Sequence, residues 1–301
     1  MIKKNCTILM TGGTGFLGYH IVKRLAQNNV RLILLNRKGA NTDRLIQISQ
    51  KMSFCEMEDY SNLQGVFQCE SPDLVIHCAT SYEQNLSVVN ANLIMPLQLL
   101  QCCLQMSKKP IFINAGTILN EQINQYAASK RQFVNWLDLA TKEMLCFNIK
   151  MDHFYGPFDT QSKFYIKVIQ NLLNKAYAIN FTFGEQVRDF VYIDDMVEAW
   201  MLIIDYALSV RNKKTNGLYD FEVATGKGIA IKDFFRLLAK LVGNDTTQLN
   251  FGVLPYRNNE LMEYNFNLQP ILSLNWVPKY GLDEGLLKTI AFERERILKR
   301  E

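Results

Sequence analysis

The stretch TGGTGFLG (11–18) lies between a short apolar run, CTILM (6–10), and YHIVKRLAQNN (19–29), whose apolar positions recur at helical spacing. A second apolar run, VRLILLN (30–36), follows at once. A chain that turns this tightly from strand into helix needs residues without a Cβ. Gly12 permits the turn, Gly15 lets a ligand approach the backbone, and Gly18 lets helix and strand pack closely. Thr14, Phe16 and Leu17 are the other residues of the stretch that stand beside these glycines. A helix that begins here points unpaired N–H groups at whatever occupies the turn, which suits the diphosphate of a dinucleotide. The order strand, turn, helix, strand gives the glycine spacing this meaning. A purely structural turn is the alternative.

The alternation continues. MSFCEM (52–57) is a weaker strand, PDLVIHCAT (72–80) and PIFINAG (110–116) are clear ones, and 88–106 and 126–144 read as helices. Near-continuous apolar strands separated by helices predict an α/β fold, a doubly wound parallel sheet covered on both faces. After about residue 157 the alternation becomes irregular, which suits a smaller interleaved substrate lobe. The expected division is 1–155 plus about 188–210 for the dinucleotide-binding domain, with about 156–187 and 211–301 in the lobe. Trp136, Trp200 and Trp276 stand in apolar contexts and are expected in the core.

The formal net charge of +4 is too small to argue for nucleic acid, though it suits an anionic small substrate. Seven cysteines without a metal-ligand spacing, and only three histidines, predict reduced thiols and no protein-bound metal. The basic start, MIKKNCTILM, has too short an apolar run for a secretory leader, and no run is expected to approach a membrane span. A cytoplasmic protein is therefore expected.

Two local patterns carry chemistry. The second strand ends in Asn36, Arg37 and Lys38, where a carboxylate would grip the adenosine ribose of NAD and repel a 2′-phosphate. A guanidinium there suits the phosphate and favours NADP(H), with NAD as the alternative; a solvated loop charge is the bland reading of Arg37. Second, Tyr126 and Lys130 of YAASK stand one helical turn apart on one face. They read either as a surface packing pair or as an acid/base pair, in which a nearby cation favours the phenolate.

TGGTGFLG, VIHCAT, NANLIMPLQLL, YAASK, HFYGPFD and GEQVRDFVYIDD occur in order along nearly the whole chain. Together they resemble the extended short-chain dehydrogenase/reductase family that acts on nucleotide sugars. KMDHFYGPFDTQSKF, RDFVYIDD and FGVLPYRNNELM are similar to its CDP-paratose and CDP-abequose synthase branch, reductases of CDP-4-keto-3,6-dideoxyhexoses. The resemblance implies catalytic roles for Thr117, Tyr126 and Lys130, with Lys130 also holding the nicotinamide ribose. It implies cofactor contacts at the glycine turn, at Asn36–Lys38, at Cys78, Ala79 and Thr80, and at Tyr126 and Lys130. Substrate contacts are implied at Thr80, Thr117, Tyr126, His153, Lys163, Phe164, Arg188 and Arg257. His153 reads equally as a structural histidine, and Arg188 equally as one half of an ion pair. Thr117 lies nine positions before Tyr126, closer than is usual in the family. Ile118 and Leu119 stand where the family's dehydratases carry an acid and a base, so elimination is not expected.

These readings predict an NADPH-dependent reductase of the 4-keto group of a nucleotide-diphosphate 4-keto-6-deoxy or 3,6-dideoxy hexose. The alternatives are a 4-epimerase that retains NAD and, in a different class, a non-catalytic NADP-binding protein. The resemblance and the apolar surface of the helices at 90–106 and 126–140 together predict a homodimer.

Overall fold

The computed structural model describes residues 6–57, 62–83, 85–211 and 217–299. Met1–Asn5, on which the leader reading turns, lie outside them. In chain order the elements are β1 (Cys6–Thr11), α1 (Phe16–Leu25), β2 (Val30–Arg37), β3 (Met52–Met57), α2 (Leu63–Glu70), β4 (Leu74–His77) and α3 (Leu86–Val89). A π-helical turn (Asn90–Ile94) joins α3 to α4 (Met95–Gln105), and β5 (Ile111–Thr117), α5 (Gln125–Ala140), β6 (Cys146–Met151) and β7 (His153–Tyr155) come next. Then follow α6 (Phe164–Leu173), β8 (Ala178–Asn180), β9 (Val187–Tyr192), α7 (Ile193–Val210), β10 (Leu218–Val223) and β11 (Gly228–Ala230). The last elements are α8 (Ile231–Val242), β12 (Gln248–Asn250), α9 (Gln269–Leu272) and α10 (Leu282–Leu298).

The chain divides into two compact units. The first comprises 1–151, 197–223 and 269–276. Its core is a seven-stranded parallel sheet of order β10-β6-β5-β4-β1-β2-β3. The order reverses between β1 and β4, so the crevice at their carboxyl ends is the topological switch point where such sheets bind ligands. The strands β1, β4 and β5 are apolar on both faces, as a covered parallel sheet requires.

Across this sheet runs a row of polar side chains at one register level: Thr11, His77, Asn114, Asn148 and Asp220, from five adjacent strands. Thr11 Oγ1 lies 2.9 Å from His77 Nδ1, Asn114 Nδ2 donates to Asn148 Oδ1 at 2.8 Å, and Asn148 Nδ2 donates to Asp220 Oδ1 at 2.8 Å. The first four are buried. Burial, followed by the charge of Lys130, holds the His77 imidazole well below its usual pKa.

The second unit comprises 152–196, 224–268 and 277–301. It carries a three-stranded sheet of order β11-β9-β7 and the pair β12-β8, with α6, α8 and α10. Residues 188–192, expected with the large sheet, belong to β9 in this smaller one, because β9 pairs with β7 and β11. Conversely 218–223, expected in the lobe, form β10 at the edge of the large sheet, where Asp220 meets Asn148.

Two further expectations are corrected. Trp200 and Trp276 are buried, but Trp136 is 54% exposed, because the buried face of α5 runs through Ala127, Lys130, Phe133, Val134, Leu137 and Ala140. The continuous helix Leu86–Gln105 is long and apolar enough, by length and composition, to cross a membrane. In the fold it is a core helix, with Met95, Leu99, Leu100 and Cys103 packed into the cluster around Phe112 and Phe133.

Candidate functional site

The glycine turn follows β1. Gly12 has φ +72°, and a Cβ there would lie 2.4 Å from the Ala79 nitrogen, so the turn presses on the segment after β4 and only glycine fits. A Cβ on Gly18 would lie 2.0 Å from the Gly12 carbonyl oxygen. Gly15 is the N-cap of α1, offers no side-chain cap, and is followed by a first turn without an acidic residue. The amino end of α1 therefore directs an uncompensated positive dipole toward the turn. The Cys78 N–H donates to the Thr11 carbonyl (3.2 Å) and the Ala79 N–H to Thr11 Oγ1 (3.4 Å), which fixes the second wall of the crevice.

At the carboxyl end of β2, Asn36 is 6% exposed and its Nδ2 is buried without a hydrogen-bond partner, while Arg37 and Lys38 are exposed. The cradle, the α1 amino end and this unsatisfied amide fit a dinucleotide. Two carboxylates among the described residues bear on this end: Glu56 on β3 is the register partner of Asn36, and Glu83 is held below its usual pKa by hydrogen bonds from Asn85 and Ser87, and to a lesser extent by the Arg37 charge.

Thr117 ends β5, and its hydroxyl accepts the Leu119 N–H at 3.2 Å. Helix α5 starts sharply because the Asn124 side chain accepts the Ala127 N–H at 2.8 Å. Tyr126 and Lys130 thus fall in its first two turns. Lys130 is 2% exposed and its Nζ donates to the Ala115 carbonyl at 2.9 Å. Burial lowers its pKa from 10.5 to about 8, with Cys78 opposing, while burial pushes the Cys78 thiol up to about 12. Gly12, Thr14, Gly15, Phe16, Leu17, Gly18, Asn36, Arg37, Lys38, Cys78, Ala79, Thr80, Thr117, Tyr126 and Lys130 all belong to the first unit.

Sequence reasoning missed two residues here. The ring of Tyr82 lies 4.6 Å from that of Tyr126, tilted by 33°. Its loop is tied down by Asn92, which is fully buried in the π-helical turn. Asn92 Oδ1 accepts from the Thr80 hydroxyl (2.9 Å) and the Ser81 N–H (3.0 Å), and Nδ2 donates to the Ser81 carbonyl (3.0 Å) and Ser129 Oγ (3.2 Å). Pro96 lacks the N–H that would bond the Asn92 carbonyl, which accounts for the wider turn. The paired Asn90 and Asn92 inside the run VVNANLIMPL were the available signal.

The other substrate candidates lie on the second unit. His153 Nδ1 is 2.7 Å from Asp152 Oδ2, with the His153 ring edge-on to Phe190. Lys163 Nζ lies 3.0 Å from the buried Asp159 carboxylate, and the lysine side chain is 35% exposed. Phe164 is 51% exposed and meets Phe181 and Phe235 edge-on. Arg188 is ion-paired, with Glu260 at 2.6 Å, while the neighbouring Asp189 accepts hydrogen bonds from Thr225 and Lys227. Arg257 is exposed on the surface.

A sequence profile described as the NAD dependent epimerase/dehydratase family matches residues 8–216. The CDP-abequose synthase of Salmonella muenchen is 28% identical, over 97% of this chain and 100% of that protein. That of Salmonella typhimurium is 25% identical, over 97% of each. Among solved structures, the UDP-glucose 4-epimerase of Thermotoga maritima, determined with UDP-glucose, superposes with a TM-score of 0.82 at 24% identity, covering 97% of this chain and 99% of that one.

Proposed function

The chain belongs to the NAD dependent epimerase/dehydratase family, and from that premise we propose that it reduces the 4-keto group of a nucleotide-diphosphate 4-keto-6-deoxy or 3,6-dideoxy hexose with NADPH. The observation that carries the choice of a consumed, phosphorylated cofactor is the end of β2, where Asn36, Arg37 and Lys38 stand and a carboxylate does not. Full-length likeness to proteins named CDP-abequose synthase supports a CDP-linked sugar.

The glycine turn and the amino end of α1 hold the cofactor diphosphate, Arg37 and Lys38 its 2′-phosphate, and Lys130 the ribose beside the nicotinamide. When bound, the nicotinamide supplies the hydride to the carbonyl carbon. Tyr126 donates a proton to the oxygen as negative charge develops on it, and the Thr117 hydroxyl hydrogen-bonds that oxygen. Ile118 and Leu119 cannot exchange protons, so these two positions do not supply the acid and base of an elimination. Within the second unit, His153, Lys163, Phe164, Arg188 and Arg257 are the candidates for the sugar and its nucleoside diphosphate.

The test is turnover of CDP-, dTDP- and GDP-linked 4-keto-6-deoxy sugars with NADPH or NADH, followed by loss of the reduced cofactor. Stoichiometric NADPH consumption with a CDP sugar is expected. Protein that retains NAD through purification and interconverts 4-hydroxy epimers without added reductant would establish the epimerase instead.

A further inference from the structure

Tyr82 is 65% exposed, yet the backbone on either side of it is fixed. Before it, the Ser81 N–H donates to Asn92 Oδ1 at 3.0 Å and the Ser81 carbonyl accepts from Asn92 Nδ2 at 3.0 Å. After it, the Glu83 N–H donates to Ser81 Oγ at 3.3 Å, and the Glu83 carboxylate accepts from Ser87 Oγ at 2.9 Å and from Asn85 Nδ2 at 3.1 Å. Ser87 Oγ also lies 2.9 Å from Ser81 Oγ, which closes the loop on the amino end of α3. Burial does not account for where this ring stands. A loop held rigid by its scaffold and presenting one side chain is how folds place functional groups.

The ring it meets is that of Tyr126. The centroids are 4.6 Å apart and the planes are tilted by 33°, a separation at which aromatic pairs attract. One buried amide builds the pair from both sides. Asn92 Nδ2, besides holding Ser81, donates to Ser129 Oγ at 3.2 Å, and Ser129 Oγ donates to the Tyr126 carbonyl at 2.8 Å. The segment bearing Tyr82 and the first turn of α5 bearing Tyr126 are thus tied to the same side chain in the π-helical turn. Tyr126 is half-buried, so core packing alone does not confine its ring. A phenol that has to deliver a proton along one direction gains from a neighbour that narrows its choice of rotamers.

We propose that Tyr82 is a positioning residue for Tyr126: its ring braces the phenol in the orientation from which it protonates the sugar oxygen, and Asn92 sets the geometry of the brace. This rests on the reductase reading above and adds to it a contact outside the set of Thr117, Tyr126 and Lys130. Three consequences follow. The brace needs a ring and not a hydroxyl. It acts on turnover and not on the affinity for sugar or cofactor. It works through the Tyr126 hydroxyl, so it contributes nothing once that hydroxyl is gone.

The experiment measures kcat and KM for the preferred 4-keto sugar and NADPH in wild type, Tyr82→Ala, Tyr82→Phe, Tyr126→Phe and the variant combining Tyr82→Ala with Tyr126→Phe. In parallel, a fluorotyrosine placed at position 126 reports that ring by fluorine NMR in the cofactor-free protein. Tyr82→Ala should lower kcat by roughly 2- to 10-fold, the worth of one aromatic pair, with both KM values little changed. Tyr82→Phe should restore kcat. In the Tyr126→Phe background the alanine should cost nothing further. The fluorine resonance should shift in Tyr82→Ala and return in Tyr82→Phe, because a ring this close adds its own ring current. Tyr82 is exposed, so none of its replacements removes a core side chain. A Tyr82→Ala enzyme with wild-type or higher kcat, a loss that phenylalanine does not restore, or an equal loss in both backgrounds overturns the brace. So does a fluorine resonance that ignores the substitution. Any of these results in an active reductase keeps the function and refutes the brace. A wild type that reduces none of the sugars fails the reductase reading instead, and the fluorine comparison then decides alone whether Tyr82 holds Tyr126.

Discussion

Replacing Lys130 by methionine should stabilise the cofactor-free protein. The amine is 2% exposed, and burial lowers its pKa from 10.5 to about 8. That difference corresponds to about 3 kcal/mol of folding free energy. The ammonium gives up one hydrogen bond to the Ala115 carbonyl when it is removed, about 1 kcal/mol. The variant should therefore gain about 2 kcal/mol at pH 7, a rise in Tm on the order of 4 °C for a chain of this size. The pH dependence has a definite sign. Between about 8 and 10.5 the unfolded chain binds more protons at this position than the folded one, so wild-type stability rises with pH there relative to the variant. The penalty is complete below pH 8 and gone above 10.5. Thermal unfolding of both proteins at intervals from pH 7 to pH 10.5 reads this directly. A variant no more stable than wild type at pH 7, or a gap that stays constant across the window, refutes the reasoning.

Tyr126→Phe should keep dinucleotide binding and lower turnover by roughly 10²-fold or more, the loss expected for a general acid; near-normal turnover removes Tyr126 from the proposed role. Wild type should prefer NADPH over NADH by roughly 10- to 150-fold in kcat/KM, the yield of one or two charge-assisted bonds to the 2′-phosphate. Arg37→Ala should erase most of that preference while leaving NADH use little changed, and a wild type that prefers NADH sinks this assignment. The helix pair bearing the exposed Leu86, Ile94, Trp136 and Leu139 should form a homodimer seam, so sedimentation should give a dimer mass for wild type and a monomer for Trp136→Glu. A wild type that stays monomeric at all concentrations ends that proposal.

What could be read from the sequence was what local chemistry dictates. The glycine turn, the run of buried strands and the Tyr126–Lys130 spacing depend on residues a few positions apart, and the parallel sheet follows from them. The readings that needed corrections depend on which partners and faces the fold assigns. Strand β9 looks like a continuation of the alternation until β7 and β11 claim it. Trp136 has apolar neighbours in sequence, but the helical period puts it outside. Tyr82 and Glu260 sit in irregular segments, where no period announces which side chain they meet.

The polar row across the large sheet has a consequence for how the chain is made. Asn148 and its partner Asp220 are 72 residues apart. At typical elongation rates of about 5–20 residues per second, β6 waits roughly 4–14 s on the ribosome before β10 exists. During that interval β6 is the open margin of a nascent parallel sheet, the kind of margin that recruits strands from other chains. It faces this hazard with an amide at Asn148 and a cation at Lys150, whose later partners are Asp220 and Glu222. An apolar strand in the same place would be a template for association. Asn148 and Lys150, whose acidic partners arrive only with β10, thus keep the margin of the growing sheet polar until its last strand is translated.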